Sequence, residues 1–342
     1  MMSVVNDEVP QQQLENEIAA LESRLAEAKQ RLKQSKAAKS NSRSDDDGDS
    51  HSYAQPLHNP LAEAAFATDS SHHYLLLLSD SALPLGSFAF SSGLESYLAH
   101  GRITTTTTTT RRHHNHQSPP PPQPSFSSFL PLSLSSYAST TLPFVLAAHR
   151  DPAAPALEAL DDALDASIIC AVGRRASVAQ GRALLSIWEK SLAPGLLPTA
   201  RDALAPFAAL LRSSPPPSSS LSSFDNDNDN DDYSSPPVLA VSAHLPPLFG
   251  AVASLLGLTA RQAAYVFLLS HAKALVSAAV RAGSFGPYQA QRILAGGALR
   301  DMIADAVARE WGTPFEEAGQ RVPAMDLWVG RHELLYSRIF NS

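Results

Sequence analysis

Three histidines close together, His113, His114 and His116, are the residues of this chain whose type and spacing could bind a metal ion. Neutral imidazole is a good ligand for divalent transition metals. The cluster lies between a run of seven threonines and a run of prolines. Such a composition cannot bury enough apolar surface to offset the entropy of ordering. Because the cluster then has no fixed geometry, we expect a solvated loop and predict no metal site.

Catalytic motifs are missing from the sequence. It contains no Gly-x-x-x-x-Gly-Lys-Ser/Thr phosphate loop, no Gly-x-Ser-x-Gly nucleophile elbow and no His-Glu-x-x-His zinc pair. The single cysteine, Cys170, lies in the apolar run 168–172, where a buried and inert thiol is expected. We therefore predict a protein that is not an enzyme, with no catalytic residues and no cofactor.

Charge and composition narrow the class of protein. The 342 residues carry a formal net charge of -7, whereas a general nucleic-acid binder would present a basic stripe. The start of the chain has no secretory signal pattern, and the apolar runs are shorter than a membrane span. We therefore expect a soluble, cytoplasmic protein with no nucleic-acid or membrane partner.

The first segment, residues 1–53, differs in composition from the rest of the chain. Within residues 11–39, apolar side chains alternate spacings of four and three, which is typical of a coiled coil. The repeat covers only about three heptads, so it predicts either a solvated, partly frayed helix or an arm for self-association or docking, including a homodimer. A Ser/Asp-rich linker, residues 41–53, follows. The repeat is formed by Leu14, Ile18, Leu21, Leu25, Ala28 and Leu32.

Two low-complexity inserts interrupt the remainder of the chain. Residues 104–125 contain the threonine, histidine and proline runs, and residues 212–237 contain a proline triplet, a serine tract and an acidic run. Both compositions predict disorder. We therefore predict one helical domain over residues 74–342 with two long disordered inserts.

Helical patterns fill the segments between the inserts, and period-two strand patterns are absent. Ser92 and Glu95 are spaced as a capping box and predict a helix that runs to His100, and Thr259 and Gln262 form a second such pair. The fold is therefore predicted to be an all-α bundle. Further helices are predicted over residues 156–192 and 199–212, from Pro246, and from Pro287 towards Trp311.

The C-terminal twelve residues, 331–342, combine charged and large apolar side chains up to the end of the chain. Leu335, Tyr336, Ile339 and Phe340 recur at helical spacing, which predicts a terminal helix with one apolar face. Such a face must be buried against the protein's own core or against a partner.

The same twelve residues resemble the closing motif of the urease accessory protein UreF family. That motif reads Arg-His-Glu, two residues, Tyr-Ser-Arg, Leu or Ile, Phe, any residue and Ser, and every position matches here. Residues 76–95 resemble the family's N-terminal signature, including Leu-Pro-Leu-Gly at 83–86 and Gly-Leu-Glu at 93–95. Residues 175–188 and 271–291 are also similar to the family, and the added arm and inserts resemble its fungal members.

Two readings of the N-terminal signature are open. It can be a turn between helices, with Phe88 and Leu94 in the core. Phe90 and Tyr97 are harder to bury on the same side and are candidates for an interface.

The loop after the long central helix departs from the family pattern. Arg281 occupies the position of the family's Lys, Ser284 stands where Pro is common, and Pro287 stands where Gln is common. The charge at position 281 is retained, but Arg and Lys differ in geometry.

The resemblance implies a helical adapter that helps insert nickel into the urease active site. It also implies three partners: a UreD/UreH-like accessory protein, a UreG-like GTPase and the urease apoprotein. The residues expected to bind partners are His332, Glu333, Tyr336, Arg338, Ile339, Phe340, Arg281, Phe90 and Tyr97.

Two alternatives to a non-catalytic adapter follow from the same residues. Arg281 or Arg338 could be inserted into the partner GTPase, so that the protein activates or gates GTP hydrolysis. The cluster of His113, His114 and His116 could instead carry nickel directly.

Overall fold

Helices form all the regular secondary structure in the residues that the computed structural model describes, namely 60–100, 124–213 and 241–341. The predicted all-α class is confirmed for this part of the chain. These described residues belong to one compact unit. The predicted arm and linker, the histidine cluster, and nearly all of the two inserts lie outside the described residues.

Twelve helices are described, with short 3-10 turns between several of them. They are α1 Pro60–Ser79, α2 94–100, α3 Phe126–Arg150, α4 Ala154–Ser167, α5 Ala171–Ile187, α6 Pro198–Arg201, α7 Ala205–Ser213, α8 Leu245–Leu255, α9 Ala260–Arg281, α10 Pro287–Ala295, α11 Gly297–Glu310 and α12 Ala324–Gly330.

Helix α3 forms the centre of the bundle and packs against α8, α9 and α11. It begins at an N-cap, Ser125, whose side chain and that of Ser128 form a capping box. The predicted first insert, residues 104–125, therefore ends at the N-cap of α3. The sequence patterns did not single out α3, since Pro131 and Pro143 lie inside it and proline normally breaks a helix interior.

Helix α8 is the most completely buried helix of the bundle; its first nine residues are all buried. As predicted, it begins with prolines in the first turn, where the missing N–H groups have no helical partner. Gly250 allows close approach to α3, because an added Cβ would lie 2.9 Å from the carbonyl carbon of Val145.

The second predicted capping box is confirmed at the start of α9. The Gln262 amide lies 3.3 Å from Thr259 Oγ1, and the Thr259 amide donates to Gln262 Oε1 at 2.9 Å. The helix ends at Arg281, two residues before Gly283, which has a φ of +71°. By length and composition α9 could cross a membrane, but 56% of its apolar window is buried inside the bundle, as in the core helix of a soluble protein.

Three predicted helices are interrupted. The segment 199–212 forms α6 and α7, separated at residues 202–204. The segment 156–192 forms α4 and α5, separated at residues 168–170, and a π-helical turn then ends at Leu192. The helix from Pro287 stops at Ala295, and α11 continues after Gly296. None of these breaks carries a proline, so helical periodicity alone did not reveal them.

Candidate functional site

The C-terminal segment, residues 331–341, does not form the predicted helix and is called the tail below. Arg331–Leu334 is a 3-10 turn, and Leu335 is already extended. The amides of Ile339 and Phe340 donate to the carboxylate of Glu95 at 2.7 and 3.3 Å. Because these amides bond to a distant carboxylate, they are not available for helical bonds within the tail.

Glu95 therefore does not complete the capping box predicted with Ser92. Ser92 and Gly93 have φ angles of 49° and 85° and form a turn. The amide of Glu95 lies 3.4 Å from the hydroxyl oxygen of Ser91. This turn directs the Glu95 carboxylate towards the tail instead of back to the start of α2.

The apolar residues of the tail divide between core and surface. Phe340 is buried, with 4% of its surface exposed, whereas Tyr336 is 107% and Ile339 60% exposed. Leu335 is half-buried. The single apolar face predicted for a helix is thus wrong, and one aromatic anchor holds the tail while other apolar side chains face solvent.

His332 is part of the anchor and not of the surface. Its side chain is fully buried, and Nε2 lies 3.0 Å from the carbonyl oxygen of Phe340. Since a carbonyl can only accept, Nε2 carries the proton. The other ring nitrogen, Nδ1, is buried without a hydrogen bond, 3.6 Å from Oε2 of Glu95.

Of the predicted partner-binding residues, Arg281 contacts the tail from α9, and Arg338 forms hydrogen bonds within the tail. Arg281 donates to the carbonyl oxygen of Phe88, and its guanidinium lies 4.3 Å from the centre of the Phe340 ring. Partial desolvation of this guanidinium lowers the pKa of Arg281. Arg338 donates to the carbonyl oxygens of Glu333 and Leu335 at 3.0 and 3.3 Å.

Glu333 ties the outer side of the tail to helix α5. Its carboxylate is paired with Arg175. The hydrogen bond from Arg175 holds the pKa of Glu333 below its usual range. Because both side chains are well exposed, this ion pair positions the tail more than it stabilises the fold.

Tyr97 and Phe90, the other two candidates, are both half-buried. The Tyr97 ring packs edge-on against Trp328 of α12 at 5.4 Å, and its hydroxyl is hydrogen-bonded to that of Ser128 at 2.9 Å. Tyr97 therefore supports α12, which leads into the tail. Gly93 allows this packing, because a Cβ there would lie 3.0 Å from the amide nitrogen of Val329.

Phe88 was expected in the core together with Leu94. Leu94 is fully buried as expected, but Phe88 is 66% exposed. The reason is the 3-10 turn Ser87–Ala89, whose backbone is held by two contacts. The Phe88 carbonyl accepts from Arg281, and the Ala89 carbonyl accepts from the amide of Asn341 at 2.7 Å.

Five large apolar side chains are exposed in the tail or on segments joined to it, and we call them the tail surface. Scattered exposed apolar residues are normal, but several on segments that contact one another are typical of a protein-binding site. Only Tyr336 and Ile339 of the five are predicted from the sequence as partner-binding residues, because periodicity does not show which apolar side chains stay exposed. The tail surface consists of Phe88, Leu327, Leu334, Tyr336 and Ile339.

A cavity of about 270 Å³ lies beside α12. In its wall the rings of Tyr137 and His271 are stacked 3.9 Å apart, and His271 Nε2 lies 3.1 Å from the hydroxyl of Ser133. Burial raises the pKa of Tyr137 and lowers that of His271 to about 3, so both are neutral near neutral pH. Cys170 also lines the cavity and is half-buried, which differs from the buried thiol that the sequence predicts.

The depressed pKa of His271 predicts a pH dependence of stability. From its ordinary value of 6.5 down to about 3, the unfolded chain binds a proton that the folded chain does not. The free energy of unfolding should therefore decrease as the pH is lowered through this window, by at most about 1.4 kcal/mol per pH unit. Above the window this contribution is constant. Urea unfolding between about pH 6.5 and pH 5 should show a shallower loss for His271→Gln than for the wild type. The prediction would be contradicted if the wild type and His271→Gln lost stability equally as the pH is lowered. It would also be contradicted if the exposed control His72→Gln showed the same shallower loss.

Asp165, His244 and Ser177 form a hydrogen-bonded chain that superficially resembles a catalytic triad. His244 Nε2 lies 2.8 Å from Asp165 Oδ1, and its Nδ1 lies 3.0 Å from the Ser177 hydroxyl. The His244 ring is fully buried, Asp165 is also paired with Arg174, and Ser177 lies inside α5, whose backbone amides serve the helix. This chain therefore fixes the position of residue 244 and is not arranged for nucleophilic catalysis.

Asp161 has a similar positioning role. Its buried carboxylate accepts hydrogen bonds from the amides of Ser242, Ala243 and His244 at 2.6 to 3.0 Å. These bonds hold Ala243 at a φ of +68° just before α8. No group of three or more potential metal ligands occurs among the described residues.

The Glu95 carboxylate provides a direct test of how the tail is held. Glu95→Ala removes two charge-assisted hydrogen bonds, each contributing about 1.5–3 kcal/mol. We expect the amides of Ile339, Phe340 and Asn341 to exchange with solvent at least tenfold faster, measured by hydrogen exchange. The control Glu333→Gln should leave these rates nearly unchanged, because its ion pair is exposed. Unchanged exchange in Glu95→Ala would show that Phe340 and Arg281 alone hold the tail.

The described residues form an all-helical bundle with exposed apolar side chains on and beside the tail, and no catalytic cluster occurs among them. The sequence model of the UreF family matches residues 123–298, half of the chain. The chain belongs to the UreF family of urease accessory proteins.

Individual relatives agree with this assignment. A UreF-like urease accessory protein of Schizosaccharomyces pombe is 34% identical over 273 residues, which cover 79% of this chain and 97% of the relative. Urease accessory protein 6 of Cryptococcus neoformans var. grubii is 27% identical, with 79% and 96% covered. Urease accessory protein F of Oryza sativa subsp. indica is 28% identical, with 77% and 82% covered. The protein therefore acts in the maturation of urease.

Proposed function

We propose that the protein is a non-catalytic adapter that helps insert nickel into urease in the cytoplasm. It binds a UreD/UreH-like accessory protein, and this complex recruits a UreG-like GTPase and the urease apoprotein. The observation that carries the proposal is the tail surface. Its backbone is fixed by Glu95, Phe340 and Arg281, while Tyr336 and Ile339 remain exposed.

Apolar side chains exposed on a fixed tail are unfavourable in the free protein and become favourable when a partner covers them. Fully burying a large apolar side chain contributes roughly 1.5–3 kcal/mol. A docked tail also avoids part of the ordering cost that a disordered tail would incur on binding. We therefore assign the tail surface to the UreD/UreH-like partner.

The experiment is reconstitution from purified proteins. The full chain should form a stable complex with the UreD/UreH-like protein, and only this complex should retain the UreG-like GTPase on size-exclusion chromatography. Alone, the chain should neither bind nor hydrolyse GTP, since it has no phosphate loop. A wild-type chain that elutes separately from the UreD/UreH-like protein would refute the proposal.

The alternative of an arginine inserted into the GTPase is less well supported for Arg281, whose guanidinium is held by Phe88 and Phe340. Arg338 is exposed but also bonded to the tail backbone. If either acts in this way, its replacement should reduce GTP hydrolysis about a thousandfold while the complex stays intact. Direct nickel transport by the histidine cluster, and homodimer formation through the arm, stay predictions.

A further inference from the structure

We propose that the partner segment bound by the tail surface is acidic as well as apolar, and that Arg331 and Arg338 recognise its carboxylates. This inference depends on the proposed function, because it assigns the chemistry of the segment that the UreD/UreH-like partner contributes. It follows from the charges around the tail surface and not from the family motif.

The first observation is that the tail arginines are not neutralised. Arg281, Arg331 and Arg338 are exposed, and none lies within 4 Å of a carboxylate oxygen in the described part of the chain. Glu333, the acidic side chain within the tail, is paired with Arg175, and the charge of Arg338 contributes less than Arg175 to lowering its pKa. The protein as a whole carries a net charge of -7, so this positive group differs in sign from the rest of the molecule.

The second observation is that these guanidiniums are positioned before a partner arrives. Arg331 lies 5.8 Å from the centre of the Trp328 ring, and Arg338 is fixed by two backbone carbonyls. A guanidinium has five N–H donors, so Arg338 keeps three for a ligand, and a planar fork matches a carboxylate. Because less side-chain freedom is lost on binding, each contact is more favourable than one made by a mobile surface arginine.

The surroundings favour a protein segment over a lipid surface. Recognition of anionic lipids normally uses a cluster of about four to eight basic residues. Here two arginines flank Leu334, Tyr336 and Ile339, and Arg281 is held against Phe340 and Phe88. Large apolar groups surrounded by a few arginines are typical of the centre of a protein–protein interface.

The test is the affinity of the full chain for the purified UreD/UreH-like protein, measured by calorimetry over a range of salt concentrations. Arg331→Gln/Arg338→Gln should bind at least tenfold more weakly and with a shallower salt dependence, because exposed charge pairs are screened by salt. Arg331→Lys/Arg338→Lys keeps the charge and should recover part of the affinity and most of the salt dependence. The matched control Arg292→Gln, on the exposed side of α10, should change affinity less than twofold.

Hydrogen exchange at the Phe340 amide checks that the tail stays docked in each variant. Wild-type affinity and salt dependence in the Gln variant would overturn the inference while leaving the proposed function intact. Absence of any wild-type complex would overturn both. Wild-type chain that binds phosphatidylserine vesicles through the same arginines, with the protein complex unaffected, would assign the surface to lipid and also overturn the inference.

Discussion

Tyr336→Ala/Ile339→Ala is expected to weaken binding of the UreD/UreH-like partner by at least a hundredfold while the bundle remains folded. The two side chains are 107% and 60% exposed in the free protein, so their truncation removes little internal packing. Buried in an interface, they would contribute roughly 3–6 kcal/mol together, which corresponds to a factor of about 10² to 10⁴ in affinity.

Surface plasmon resonance or calorimetry with the purified partner measures this loss. The matched control is Leu197→Ala/Tyr288→Ala, which truncates two side chains that are 77% and 89% exposed but lie outside the tail surface. Unchanged affinity of the control, together with unchanged circular dichroism of both variants, isolates the tail surface. Equal losses for both pairs would show that the binding site extends beyond the tail.

Phe340→Ala, unlike truncation of the exposed pair, removes a buried side chain of the tail. For the same reason, deletion of the whole tail is a poor test of partner binding. Phe340 and His332 are buried, and Phe340 contacts Arg281. Removing residues 331–342 therefore exposes core surface and leaves the buried Glu95 carboxylate without its two amides. Loss of binding after such a deletion would combine a lost contact with local unfolding.

Gly250→Ala is expected to produce the largest loss of stability of any single methyl addition in α8. The new Cβ would lie 2.9 Å from the carbonyl carbon of Val145 and 3.1 Å from the amide nitrogen of His149, and closer still to the Val145 oxygen. These are backbone atoms of α3, so no side chain can move away. Relief requires separating the two central helices, and we expect a loss of about 4 kcal/mol or more, or an insoluble protein.

Urea unfolding of the two proteins measures the difference. Gly195→Ala serves as the control, because no atom lies within 4 Å of its added Cβ, and it should change the free energy of unfolding by less than about 0.5 kcal/mol. A Gly250→Ala variant that unfolds at the wild-type urea concentration would show that α3 and α8 do not pack as described.

Local patterns in the sequence were sufficient for much of the bundle. The Thr259 and Gln262 pair, the Pro246 start and the all-α class all depend on contacts between residues near in sequence, and each is found in the structure. Helix α3 was not singled out, although its Phe129 and Leu142 are fully buried. Burial of that face outweighs the two internal prolines, and tertiary packing of this kind cannot be read from propensity.

The tail shows why the candidate site could be located but not described from sequence. The family motif pointed to this segment, but helical spacing predicted the wrong backbone for it. Glu95 lies 244 residues from Ile339 in sequence, yet it accepts that residue's amide. A contact of this range leaves no periodic signal. Exposure of Phe88 depends on the same long-range arrangement, because Asn341 and Arg281 hold its turn.

Urease activation in cells tests the central claim most directly. In a host that lacks its own copy of this gene, the full-length chain should restore nickel content and activity of urease. The Tyr336→Ala/Ile339→Ala variant, present at the same level, should restore little of either, and the Leu197→Ala/Tyr288→Ala control should restore both. Full activation by the tail variant would contradict the assignment of the tail surface, and no activation by the wild-type chain would contradict the proposed adapter function itself.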